Sequence, residues 1–176
     1  TLVTGPDIIF FWVARMIMAG IELVGEVPFT DVCMNALIKD EKGRIMSKSL
    51  GNVIDPLEMI KKYGADAGRF SLTILTSEGQ DDQLHETKFE MGRNFANKFW
   101  NASRLVMLNG DQVAGEVLGE PRDEDRWILE RADELVGTVT SALAAFRFNE
   151  AAQSIYDFTW HEYCDWYLET MKYRVQ

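Results

Sequence analysis

Residues that hold metals or cross-link chains are scarce here. The 176 residues include two cysteines and two histidines. Cys33 and Cys164 lie far apart and form no C-x-x-C pair, which excludes a disulfide scaffold and argues against a structural zinc site. Reduced thiols are the expectation. Basic residues are in deficit too: 18 Lys plus Arg face 28 Asp plus Glu, a formal charge of −10. Such a chain lacks the broad basic surface that non-specific DNA binding needs, although a local basic patch can still meet RNA. Long apolar runs are missing. The longest, Ile8 to Ala14, is flanked by Asp7 and Arg15 and falls far short of the roughly 20 residues of a membrane helix. No membrane partner is expected. The chain opens at Thr1 with no charged leader, inside what reads as structure. The expectation is a piece of a longer, cytoplasmic protein without a signal peptide.

What is present is ordinary for a globular protein, with 47% hydrophobic and 26% charged residues. The length suits one domain of good size or two small ones. Periodicity splits the chain near residue 80, which predicts domains over 1–80 and 81–176. In the first part, Pro6 to Ala19 reads as a helix stopped by Gly20. Val32 to Ile38 reads as a buried strand, and Asp40 to Asn52 as a long polar loop. Asp55, Pro56 and Glu58 form a helix start, with Asp55 as N-cap, and Gly64 ends that helix. A further helix is predicted from Asp66 to Leu75. This order fits the end of an α/β sheet domain.

From Glu86 onward the pattern is helical. Phe95, Phe99, Ala102 and Val106 mark one apolar stripe. Ile128, Ala132, Leu135, Val139, Ala142 and Phe146 mark a second, and Ala152, Tyr156, Trp160, Tyr163 and Tyr167 a third. Asn109 to Pro121 reads as a loop, and Asp123 and Asn149 as N-caps. Three long amphipathic helices predict most of a helical bundle.

Chemistry concentrates in Gly43-Arg44-Ile45-Met46-Ser47-Lys48-Ser49-Leu50-Gly51-Asn52. A lysine is a mobile point charge suited to phosphate oxygens, and the hydroxyls beside it can donate to the same oxygens. A loop that follows a strand in an α/β sheet is where such ligands bind. A bare Ser-Lys-Ser tripeptide reads as solvated surface, and the Walker A order is absent. The string in its setting, between a strand and a capped helix, carries the argument.

That string resembles the Lys-Met-Ser-Lys-Ser signature of class I aminoacyl-tRNA synthetases. Its flanks resemble the valyl-tRNA synthetases. They are Thr4 to Met16, Gly51-Asn52-Val53-Ile54-Asp55-Pro56, Tyr63-Gly64-Ala65-Asp66-Ala67, Arg93 to Lys98, Trp100-Asn101-Ala102 and Trp160 to Tyr167. The resemblance runs along nearly the whole chain. It implies the C-terminal end of a Rossmann-like α/β catalytic domain, followed by an all-α anticodon-binding bundle. It also implies ATP with Mg2+, L-valine and tRNA(Val) as substrates, and no structural metal in this piece.

By the same resemblance Lys48 stabilises the departing pyrophosphate, and Ile45, Met46, Ser47 and Ser49 shape the ATP loop. Asn35 stands where the family often has His of a His-Gly pair, and Ile45 replaces the signature's first Lys. Asp7 is expected to hold the substrate ammonium group and Trp12 to wall the valine pocket. A first-turn acid favoured by the helix dipole and an ordinary core residue are the plainer alternatives for these two. Arg93, Asn97, Asn101 and Arg104 form a polar stripe, suited to tRNA phosphates or merely solvated. The His-x-Gly-His signature and the editing domain are not found in the chain, so the piece alone is expected to be inactive. Two other readings stay open: an RNA- or protein-binding helical module with a vestigial loop, and an isoleucyl or leucyl enzyme.

Overall fold

The computed structural model describes residues 1–75, 82–110 and 119–174. The expected boundary near residue 80 and most of the expected Asn109–Pro121 loop lie outside those residues. The chain divides into two compact units, Thr1–Val53 with Leu75–His85 and Ile54–Ile74 with Glu86–Gln176.

Among its described residues the first unit holds two short parallel strand pairs. Strand β1 (Leu2–Thr4) pairs with β2 (Val32–Met34) in the register Leu2↔Val32, Val3↔Cys33, Thr4↔Met34. Strand β3 (Ile38–Lys39) pairs with β4 (Asp82–Gln83). The single buried strand expected over Val32 to Ile38 is thus broken into β2 and β3, and β1 was not anticipated. A three-residue strand is too short to register as alternation. Val32 and Met34 are exposed.

Between β1 and β2 the chain coils continuously. A 3-10 turn (Pro6–Ile8) leads into a π-helical turn (Ile9–Val13), helix α1 (Ala14–Ala19) and a second π-helical turn (Gly20–Val24). Gly20 does not end it. It keeps helical angles, and the stop is Gly25, at φ +81°. Gly20 serves packing instead: a Cβ there would lie 2.9 Å from Pro28 Cδ and 3.0 Å from the Glu26 carbonyl oxygen. Val13 is buried, while Phe10, Phe11, Leu23 and Val24 are exposed.

The second unit is helical. Helix α2 (Pro56–Tyr63) starts and stops where its sequence signals lie. Asp55 Oδ1 accepts from the Leu57 N–H at 2.9 Å, and Gly64 N–H donates to the Ile60 carbonyl at 2.9 Å. Helix α3 (Ala65–Leu75) packs on α4 (Glu86–Gly110) at very close range. Ser71, fully buried, donates from Oγ to the Lys88 carbonyl at 2.7 Å, and Gly92 of α4 meets the backbone of Ala67. Helix α5 (Asp123–Ala144) is capped by Arg122 rather than Asp123. Asp125 Oδ2 accepts from the Arg122 N–H at 2.9 Å. Helix α6 (Phe148–Asp157) begins one residue before Asn149, after Phe146 turns the chain at φ +61°. Asn149 is therefore inside the first turn and not the cap.

An aromatic row ties α3, α4 and α6 together. Phe70 stacks on Phe95 at 4.6 Å between ring centroids, Phe95 meets Tyr156 at 5.1 Å, and Tyr156 stacks on Trp160 at 5.5 Å. Such pairs each add about 0.5–1.5 kcal/mol beyond the area they bury. Helix α6 runs on as a π-helical segment (Phe158–Leu168), whose i→i+5 bonding changes which residues face inward. Thr159, Cys164 and Leu168 are the buried ones there, and Cys164 and Leu168 pack with Ala102. Burial pushes the Cys164 thiol pKa up, so it stays protonated. On α4 the buried positions are Phe89, Gly92, Phe95 and Ala102, whereas Phe99 and Val106 of the expected stripe are exposed.

Arg131 of α5 grips Glu162 through Nε and Nη2, both at 2.7 Å. The guanidinium holds the Glu162 carboxyl below its usual range. A depressed carboxylate stabilises the fold above its unfolded pKa, and that contribution fades as pH falls through the lower native value. Glu162→Gln is therefore expected to lower the urea midpoint at pH 7, and the gap from wild type is expected to narrow by pH 3. Equal midpoints at pH 7 would contradict this.

Candidate functional site

The signature loop begins at the carboxyl end of β3. Asp40 to Gly43 forms a tight turn in which Gly43 N–H donates to the Asp40 carbonyl at 2.9 Å, with Gly43 at φ +73°. The turn brings Ile45 back opposite Lys39 in an isolated antiparallel bridge. The loop then closes in a 3-10 turn, Lys48–Leu50, which ends at Gly51 with φ +64°. Both glycines hold the left-handed angles that other residues resist.

Side chains lock this path. Asp40 Oδ1 accepts from the backbone N–H of Lys42 at 3.0 Å and of Arg44 at 2.8 Å. Its Oδ2 accepts from Arg44 Nε at 2.9 Å and Asn52 Nδ2 at 2.9 Å. Asn52 Oδ1 in turn accepts from the Ser47 N–H at 2.9 Å. These donors, the Asn52 amide first among them, hold the Asp40 carboxyl well below the usual carboxylate range. Neither Asp40 nor Asn52 is among the site residues expected from sequence. They stand 12 positions apart, a distance at which no local pattern links them.

Ser47 and Ser49 are brought together, with their hydroxyls 2.6 Å apart. Lys48 is exposed between them and makes no ion pair among the described residues. Met46 is half-buried and Ile45 is exposed. Asn35 lies just beyond β2, where its N–H donates to the Thr4 carbonyl at 3.0 Å. Asp7 lies just beyond β1, its carboxylate folded back so that a Cβ on Gly5 would lie 2.6 Å from Oδ1. The parallel register therefore puts Asp7 and Asn35 at the same edge, the carboxyl ends of adjacent strands. Trp12 is 45% exposed and not a core residue.

The polar stripe on α4 faces solvent at Arg93, Asn97, Asn101 and Arg104. Arg93 sits over the Tyr63 ring at 5.6 Å. Lys98, absent from the expected stripe, sits over Trp160 at 3.8 Å and pairs with Asp165. The aromatic residues of the last helix are largely engaged within the protein. Tyr167 donates from its hydroxyl to Asp125 Oδ1 at 2.9 Å, and burial with that contact pushes its pKa up to about 12. Among the described residues, no three His, Cys, Asp or Glu gather as a metal site would need, and no helix is long and apolar enough to cross a membrane.

Two family models match parts of the chain. Residues 1–85 match the model for class I tRNA synthetases of the I, L, M and V type, and residues 125–176 match the anticodon-binding domain of tRNA ligase. The chain belongs to the class I aminoacyl-tRNA synthetases. It is 50% identical to the valine–tRNA ligase of Pseudothermotoga lettingae over 97% of its own length and 20% of the relative's. It is 51% identical to the valine–tRNA ligase of Aquifex aeolicus over 99% of its own length and 15% of the relative's. The chain thus spans a fifth or less of these curated relatives.

Among solved structures it is similar to a methionyl-tRNA synthetase of Mycobacterium tuberculosis in complex with methionyl-adenylate. That match has a TM-score of 0.68 at 28% identity, over 88% of this chain and 31% of that one. It is also similar to a LeuRS–tRNA–LeuAMS ternary complex from Agrobacterium radiobacter, with a TM-score of 0.63 at 26% identity, over 80% of this chain and 18% of that one.

Proposed function

We propose that this chain is the C-terminal part of the catalytic domain (1–80) and the start of the anticodon-binding domain (81–176) of a cytoplasmic valine–tRNA ligase. The whole enzyme activates L-valine with ATP and Mg2+ to valyl-adenylate and passes the valyl group to tRNA(Val). In this reading the fold is the end of a Rossmann-like sheet followed by a helical bundle. The observation that chiefly supports it is the ordered loop after β3, with Lys48 exposed between two paired hydroxyls, in a chain about half identical to valine–tRNA ligases.

The substrate carboxylate attacks the α-phosphate, and pyrophosphate leaves. Little covalent chemistry falls to the protein, which positions the reactants and stabilises the charge that develops. Lys48 stabilises the negative charge on the departing pyrophosphate, with Ser47 and Ser49 donating beside it and Ile45 and Met46 shaping the loop. Asn35 donates from the end of β2 without carrying a proton at neutral pH. Asp7 takes the valine ammonium and Trp12 walls the side chain. Arg93, Asn97, Asn101 and Arg104 offer a solvent-facing stripe to tRNA phosphates.

The test is amino-acid-dependent ATP–pyrophosphate exchange by the full-length protein with valine, isoleucine, leucine and threonine in parallel. Valine is expected to give the strongest exchange, with threonine next, because an apolar pocket rejects that isostere only about a hundredfold. Strongest exchange with isoleucine or leucine would move the assignment to those enzymes. The 176-residue chain alone is expected to give none, since it carries one half of the nucleotide site.

A further inference from the structure

We propose that Asp40 and Asn52 form a latch that sets the signature loop in its phosphate-receiving shape before nucleotide arrives, making both positioning residues for Lys48. This rests on the assignment of the loop to ATP.

The geometry carries it. Asn52 uses both ends of its amide. Oδ1 accepts from the Ser47 N–H, and Nδ2 donates to Asp40 Oδ2 and, at 3.3 Å, to the Ile45 carbonyl. One side chain thereby ties the far end of the loop to its middle and to its start. Asp40 uses both oxygens on the near side, on Lys42, Arg44 and Asn52. Lys48 and the two serines lie within the segment so closed. An untethered loop loses backbone entropy at every residue it must order. A loop already held presents its charge at lower cost, which is what pre-organisation means for both affinity and rate.

Two further observations fit. Arg44 is the cation next to Ile45, yet its guanidinium is held by Asp40 through Nε and Nη2. It serves the latch and does not replace the charge missing at Ile45. The position also demands asparagine. An alanine makes neither contact, and an aspartate keeps the acceptor for Ser47 but sets a like charge against Asp40.

The experiment uses the full-length protein with Asn52→Ala, Asn52→Asp, Asp40→Asn and the swap that combines Asp40→Asn with Asn52→Asp. It has two readouts: valine-dependent ATP–pyrophosphate exchange, and hydrogen exchange of the Ser47 amide without nucleotide. In Asn52→Ala, kcat/KM for ATP is expected to fall about tenfold or more, as for a binding-competent loop populated about a tenth of the time. KM for valine is expected to hold within about twofold, since Asp7 and Trp12 sit on other elements; a merely unfolded variant would move both. The Ser47 amide is expected to lose protection. The swap restores one donor–acceptor pair and is expected to outperform either single variant. Unchanged Ser47 protection in Asn52→Ala, or unchanged kcat/KM for ATP, would overturn the latch. If the wild-type protein exchanges with no amino acid, the ATP assignment fails instead, and Ser47 protection alone decides whether the latch exists.

Discussion

Replacing Lys48 by alanine in the full-length protein is expected to lower valine-dependent ATP–pyrophosphate exchange by about a hundredfold or more. Removing one preorganised donor aimed at charge that develops in the transition state costs on that order. Lys48 is exposed and carries no ion pair among the described residues. Its removal is therefore expected to leave the melting temperature nearly unchanged, as surface substitutions do. Binding of tRNA is expected to hold, because Lys48 lies in the loop after β3 and not on the α4 stripe. The signature's other lysine position is Ile45, so no neighbouring charge in the motif shares the load. Full exchange by the Lys48→Ala enzyme would remove Lys48 from the mechanism and favour a helical module with a vestigial loop.

The second large effect concerns stability, and it depends on one methyl group. Gly92→Ala is expected to destabilise the helical unit by about 1–3 kcal/mol, the usual cost of overpacking a tight contact. A Cβ at Gly92 would lie 2.4 Å from Ser71 Oγ and 2.6 Å from the Ala67 carbonyl oxygen. The second of these is backbone and cannot swing away. Helix propensity favours alanine over glycine by about 1 kcal/mol, too little to offset the separation of α3 from α4. Gly137→Ala is the control. Gly137 also lies inside a long helix, but nothing is within 4 Å of a Cβ there. That substitution is expected to stabilise by roughly 0.5–1 kcal/mol. Urea titrations of both variants decide it, and equal signs would contradict the close-packing account.

The chemistry of the loop was more legible than its architecture. Lys48, Ser47 and Ser49 are legible because they are adjacent and because the string around them resembles a signature. Asp40 and Asn52 are not, because their link is a contact between residues 12 apart, and an acid and an amide in a polar loop look like solvated residues. The resemblance points to Asp7 and Asn35 one at a time. Only the parallel register of β1 and β2 sets them at the same edge.

Local signals determined what depends on local geometry. The start of α2 at Asp55 and Pro56 and its stop at Gly64 follow from an acceptor for a free N–H, a ring with no N–H to lose, and a residue tolerant of φ +93°. Tertiary structure decided what depends on neighbours. Gly20 and Gly25 look alike as helix stops in sequence. The nearby Pro28 and Glu26 carbonyl claim Gly20 for packing and leave Gly25 to end the helix. The stripe expected at 3.6-residue spacing through Trp160 and Tyr163 is half-buried, and the fully buried positions beside it are Thr159, Cys164 and Leu168, in a segment wound with i→i+5 bonds. A residue's own backbone preference is written at its own position. Which atom will lie within 3 Å of it is set by segments far along the chain, and those meet only when the fold closes.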